Sequence, residues 1–339
     1  MRYFWRKQIK PYLTQTQDHI FGNSLKYQVK PIVWYNFSSW IRDTIDQDQR
    51  FYLRKSRSLS FKRFQGLLHP NLKQPIFIFG SPRSGTTFLG DCLQELPEIS
   101  YHYEPVLTKA AVRYIYGQQW SKKKAQIFYR AVYSWLMRIH GDGDLRFAEK
   151  TPRNSFIIPF LYETFPDAKF IHIIRDGRDV AISLAKCPWY RNDRKNSCAQ
   201  EPGGYPFGPK ARFWVEKERQ QEFETTNDIH RCIWLWRKYL TSALEGASIL
   251  PQHQYHELKY EDLVTSPSLE CDKLLDFLEI SDFQSRSQLH KIIAQKAKSD
   301  SVGNWQSQLS PDQLQEIYLE SGDWLQKLGY LFQDVEPIL

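Results

Sequence analysis

Pro75-Ile76-Phe77-Ile78-Phe79 is apolar throughout and mostly β-branched or aromatic, the pattern of a buried strand. A polar turn bounded by Gly80 and Gly85 follows. Phe88, Leu89, Cys92, Leu93 and Leu96 then keep a helical period until Pro97. Ile99 to Pro105 alternates as a strand does, residues 108 to 140 read as helical, and Arg146 to Ala148 forms a short strand. After a helix over Ser155 to Phe165 comes a second strong strand, Lys169 to Ile174. It runs into Arg175-Asp176-Gly177-Arg178-Asp179 and a helix from Val180 to Ala185. Further on, Phe223 to Leu244 is a long amphipathic helix and His256 to Leu263 a strand entering an acidic turn. Ser268 to Leu278 and Pro311 to Leu325 are helical, and Ser299 to Gln306 is a polar loop. Two strand–turn–helix units with helices between them predict an α/β fold, a central parallel sheet flanked by helices on both faces. Sites in such sheets lie at the carboxyl ends of the strands, which puts the turns at Arg83 and Arg175 on one edge.

Residues 1–72 show no comparable period. Trp34, Tyr35, Phe37 and Trp40 fit an amphipathic helix, and Gln47 to Lys62 is polar and basic, so this part reads as an N-terminal arm on a main domain over 73–335. Within that domain 187–212 is rich in Pro and Gly and reads as a lid or substrate loop.

The 339 residues carry a net charge of +8, which suits an anionic ligand or surface without choosing between them. No apolar run approaches the roughly 18 residues of a membrane span. The opening MRYFWRKQIKPYL lacks the apolar core of a signal peptide, although its basic and aromatic residues suit contact with a membrane surface. Five scattered cysteines with no CxxC point to a reducing compartment, the cytoplasm, and away from a zinc site or disulfide framework.

The turn after the first strand carries the chemistry. Ser81, Pro82, Arg83, Ser84, Gly85, Thr86 and Thr87 have P-loop-like spacing, with free backbone N–H groups and a helix N-terminus aimed at an anion. Thr86 stands where a nucleotide triphosphatase needs Lys, and Arg83 is the cation within the loop.

GSPRSGTTFL, FIHIIRDGRDVAISL, HELKYEDLV and SVGNWQSQLSPDQLQEI, in this order, resemble the sulfotransferases that use 3′-phosphoadenosine 5′-phosphosulfate (PAPS). The match runs from about Gln74 to Tyr330 and is nearest to the carbohydrate and tyrosylprotein branches. The resemblance implies a 5′-phosphosulfate loop at 81–87 and a 3′-phosphate site made by Arg175 and Ser183. It implies that Ser301, Gly303 and Asn304 lie in a loop closing over the nucleotide. Glu104 in YHYEP falls where these branches keep their general base; His102 resembles the base of the cytosolic branch by type only. Lys150 in EKTPRN resembles the Lys aimed at the donor's bridging oxygen, and Arg83 is expected on the sulfate. The cofactor implied is PAPS, with no metal.

The resemblance implies a hydroxyl-bearing acceptor, with a carbohydrate or glycoconjugate favoured and a tyrosyl peptide or a lipid or natural-product alcohol open. A nucleotide kinase lacks its Lys at position 86. A nucleic-acid-binding module is prompted by the charge and by Trp120-Ser121-Lys122-Lys123-Lys124, but no recognition motif accompanies them. A catalytically dead scaffold of the same fold is opposed by the candidate residues retained.

Overall fold

The first strand, β1 (Ile76–Gly80), is buried along its whole length and sits at the centre of a parallel sheet. The computed structural model describes residues 29–331 apart from Ser56, Leu59, Asn196 and Lys298. The basic opening of the chain and residues 332–335 of the expected domain lie outside them. Around β1 stand β2 (Ile99–Tyr103), β3 (Arg146–Lys150), β4 (Lys169–Ile174) and β5 (Tyr255–Lys259), in the order β2-β3-β1-β4-β5. All pairings are parallel, and Ile76 aligns with Ala148 on one side and Lys169 on the other.

Side chains alternate across a strand, so β1 feeds two cores. Phe77 and Phe79 join Phe147 and Phe170 in an aromatic core, while Ile76 and Ile78 join Ala148, Ile171 and Ile173 in an aliphatic one. Ten helices matter below: α1 (Phe37–Phe51), α2 (Phe61–Leu68), α3 (Thr86–Leu93), α4 (Val106–Tyr116), α5 (Lys122–His140), α6 (Gly177–Ala185), α7 (Asp228–Ala247), α8 (Pro267–Phe277), α9 (Phe283–Lys296) and α10 (Pro311–Lys327). Helices α1, α4, α5, α6 and α7 pack over the aromatic core and α3, α8 and α9 over the aliphatic one. The expected arrangement, a P-loop-like parallel sheet with helices on both faces, is the one observed.

The helical stretch expected over 108–140 is two helices, because Gly117 ends α4 and Ser121 caps α5 by accepting from the Lys124 N–H. Helix α9 was not anticipated. Its apolar period is short, and only Leu289 and Ile293 are fully buried large side chains on it. In the arm, α1 is the amphipathic helix expected around Trp40. Its Phe37 and Trp40 belong to the aromatic core itself.

Candidate active site

The loop from Ser81 to Gly85 leaves β1 where a side chain has no room. A Cβ on Gly80 would lie 2.2 Å from the Ile173 carbonyl oxygen. Arg83 (φ 71°) and Gly85 (φ 96°) both occupy the left-handed region, which folds the loop back over the start of α3. Thr86 is buried at that helix start and Thr87 exposed. The Arg83 Nε donates to Ser183 Oγ at 2.9 Å. The guanidinium expected on the sulfate is thus turned toward α6, joining two motifs that are far apart in the chain.

Arg175 leaves the end of β4 beneath this loop. Its Nη1 donates to the Arg83 carbonyl at 3.2 Å, its Nη2 donates to the Ser301 carbonyl, and its guanidinium lies 4.5 Å from the Tyr260 ring centre. Trp236 of α7 donates through Nε1 to the Arg175 carbonyl at 3.0 Å, holding the turn from behind. Asp179 on α6 accepts from the N–H groups of Gly303, at 2.8 Å, and Trp305, at 3.0 Å. Arg178 pairs with Asp176 at 2.7 Å and stacks its guanidinium 3.7 Å from the Trp305 ring centre. Asp179 therefore anchors the 301–305 loop over Arg175. Asn304 donates to the Asp300 carbonyl at 2.9 Å and, with Phe88, Tyr260 and Lys296, lines a cavity of about 460 Å3.

Two buried polar atoms here have no hydrogen-bond partner among the described residues, Ser84 Oγ and Arg175 Nε. Unpaired buried donors are costly, so both fit a site built to receive an anion.

Glu104 follows β2 with φ 40°, an uncommon conformation for a residue with a Cβ and one that clusters at functional sites. Lys150, at the end of the neighbouring β3, donates to its Oε1, and Lys109 of α4 donates to Oε2 at 2.5 Å. Burial alone would raise the Glu104 pKa; the two ammonium groups overcome it and hold it at about 2. Burial lowers the Lys150 pKa in turn. Lys109 was missed from sequence, although it lies little more than one helical turn beyond Glu104. Pro82, Tyr103, Glu104, Lys109 and Tyr239 line a cavity of about 180 Å3, so the donor loop and Glu104 open onto the same space.

His102 is not in that space. It is fully buried, with Nδ1 2.9 Å from Asp48 Oδ1 and Nε2 3.2 Å from Ser100 Oγ. His140 reaches the other oxygen of Asp48. These three residues form the one group among those described whose spacing suits a metal ion, and both Asp48 oxygens are engaged by the two histidines. His172, within β4, is buried and bonded to the Tyr255 hydroxyl at 2.9 Å.

The 187–212 segment forms one wall of the cavity through Trp189, Tyr190, Glu201 and Pro202. It is tied inward. Arg153, from the turn after Lys150, pairs with Glu201, and buried Arg212 donates to the Trp189 and Pro206 carbonyls. Both guanidiniums lie near the face of Tyr205.

A model of the sulfotransferase family matches residues 75–285. Over 234 residues the chain is 25% identical to a putative protein-tyrosine sulfotransferase of Caenorhabditis briggsae, covering 66% of this chain and 71% of that one. It is 25% identical to the omega-hydroxy-beta-dihydromenaquinone-9 sulfotransferase of Mycobacterium tuberculosis, covering 73% of this chain and 57% of that one. The protein-tyrosine sulfotransferase A of Caenorhabditis elegans is matched over 50% of its length, also at 25% identity. Among solved structures, a mouse sulfotransferase complexed with PAP superposes with a TM-score of 0.46 at 15% identity, over 81% of this chain and 95% of that one.

Proposed function

The chain belongs to the sulfotransferase family, and we propose that it moves the sulfuryl group of PAPS to a hydroxyl oxygen of its acceptor. The observation that carries this reading is that Arg83 donates to Ser183 while Arg175 donates to the Arg83 and Ser301 carbonyls, which brings the three segments together at one edge of the sheet. PAPS supplies a sulfuryl group on a phosphate leaving group. The loop N–H groups and the positive end of α3 suit its 5′ end. Arg175 and Ser183 suit its 3′-phosphate, with Arg83 bridging the two.

The chemistry is positioning plus charge stabilisation. As the acceptor oxygen bonds to sulfur, its proton passes to Glu104 and the bond from sulfur to the 5′-phosphate oxygen breaks. Lys150 meets the charge left on that oxygen. Lys150 donates to Glu104. Moving it to the bridging oxygen removes one of the two cations that depress the Glu104 pKa, so the carboxylate becomes a better base as the leaving group is stabilised. Lys109 stays to orient it. His102 has both ring nitrogens engaged and is assigned no part in the proton transfer.

For the acceptor we favour a carbohydrate or glycoconjugate hydroxyl. The cavity at Glu104 has aromatic walls in Phe51, Tyr103, Trp189, Tyr190 and Tyr239. Through Gln47, Arg50 and Glu201 it continues into a cleft of about 330 Å3 lined by Lys30, Asp43, Asp46 and Gln200. That lining supplies hydrogen bonds to a polyhydroxylated chain, with aromatic faces for its rings to stack on. The five free thiols suit a reducing compartment, and we place the enzyme in the cytoplasm.

Calorimetric titration with 3′-phosphoadenosine 5′-phosphate, against the 5′-monophosphate lacking the 3′ group, tests the donor site. The bisphosphate is expected to bind at least tenfold more tightly, and Arg175→Ala to remove that advantage. Equal binding of the two nucleotides would overturn the assignment. Labelled PAPS offered with oligosaccharide, tyrosyl peptide and long-chain alcohol then identifies the acceptor class.

A further inference from the structure

Helix α2 is docked the opposite way round from an ordinary surface helix, whose apolar stripe faces the core. Its buried position is Gly66, where a Cβ would lie 2.5 Å from the backbone of Gly143 and Asp144. Arg63 donates to the Gly141 carbonyl at 2.9 Å, and Arg138 donates to the carbonyls of Leu67, at 2.9 Å, and Leu68, at 3.0 Å. Polar groups and a glycine thus hold the helix to the domain.

The large apolar side chains point outward. Phe61 is 73% exposed, Phe64 60%, Leu67 40% and Leu68 58%. At 3.6 residues per turn these four positions fall within an arc of about 120°. Between Asp48 and Asp91 the chain has no Asp or Glu and eight Lys or Arg. Of these, Arg54, Lys62 and Lys73 are exposed close to α2 in the chain. An apolar helical face flanked by these exposed cations, with Asp142 and Asp144 of the loop beneath it paired to Arg57, complements a bilayer with anionic headgroups.

We propose that α2 docks the protein on an anionic lipid surface, Phe61, Phe64, Leu67 and Leu68 entering the interface and the neighbouring Arg and Lys side chains meeting the phosphates. Gly143 precedes β3, so the docking face lies at the amino edge of the sheet, opposite the edge that carries Glu104 and the donor loop. Docking leaves the acceptor cleft uncovered.

The test is co-sedimentation of the full chain with vesicles of phosphatidylcholine, alone or mixed with phosphatidylglycerol. Binding to the anionic vesicles is expected to be at least tenfold stronger than to the neutral ones and to weaken as salt rises. The paired change Phe61→Ser with Phe64→Ser should lower it at least tenfold, and Lys62→Glu should lower it on anionic vesicles only. Thermal melts and nucleotide titration should match the parent; if the pair melts early, Leu68→Asn replaces it, with the same loss expected. Failure of the full chain to bind anionic vesicles would overturn the proposal. So would binding that survives the substitutions, or a dimer by light scattering that the pair converts to monomer.

Discussion

Glu104 and Glu149 are both buried carboxylates, and their surroundings drive them apart. Two lysines hold Glu104 at a pKa of about 2, so its ion pairs stabilise the fold above the ordinary carboxylate range and are lost as pH falls toward 2. Glu104→Gln should lower turnover by roughly 10²–10⁴, the usual share of a general base, with bisphosphate affinity kept in calorimetry. Glu149, one residue before Lys150, accepts from the Tyr133 hydroxyl and the Asn154 amide, both at 2.6 Å, and burial raises its pKa to about 7. A raised carboxylate pKa means that the folded state holds the proton more tightly. Stability should therefore fall as pH rises from about 4.5 through 7, on the order of 3 kcal/mol from this group. Urea melts at pH 5 and pH 8 should show Glu149→Gln with a clearly smaller difference between them than the parent; an unchanged difference would remove Glu149 as the cause. At this scale the candidate residues were legible where they sit in motifs, as with Arg83, Arg175 and Ser183. Lys109 was not, because nothing in VLTK by itself shows that a lysine will turn back onto a carboxylate.

Strands and the turns that leave them were the most readable elements, since an apolar run and a following glycine are contiguous in the chain. Gly85 illustrates the demand such a turn makes. With φ at 96°, and with a Cβ predicted to lie 2.4 Å from the Tyr260 ring, Gly85→Ala should displace Tyr260 from Arg175 and weaken bisphosphate binding at least tenfold. An affinity equal to the parent's would show that the loop tolerates a side chain. The 187–212 segment was readable only as irregular. Its packing comes from Arg153 and Arg212, charges that hydropathy patterns place on a surface. Glu201→Gln removes the carboxylate from a buried Arg153 and should cost about 3–5 kcal/mol. It should raise the acceptor KM more than it lowers bisphosphate affinity, and proteolysis within 187–212 should quicken.

Helix α1 is part of the main fold by its contacts. Trp40 is fully buried, Thr44 accepts from the Leu107 N–H at 3.2 Å, Asp48 binds His102, and Gln47 donates to the Glu104 carbonyl at 2.6 Å. A chain shortened to begin at residue 73 should therefore lose its cooperative melt, and Trp40→Ala alone should cost about 3–5 kcal/mol. A truncated chain that melts like the parent would restore the arm to an accessory. The sequence by itself determined the α/β class, the anion-binding turn after β1 and the second turn at Arg175, because each is written in neighbouring residues whose period and chemistry are local. Only the tertiary structure decided that Glu104 lies between Lys109 and Lys150, that Arg83 reaches Ser183, that His102 faces Asp48 away from the donor loop, and that α2 turns its phenylalanines outward. Each of those depends on which distant segments the sheet order brings together. Charge pairing and close backbone approach act only across that distance, and hydrophobic period along the chain carries no record of them.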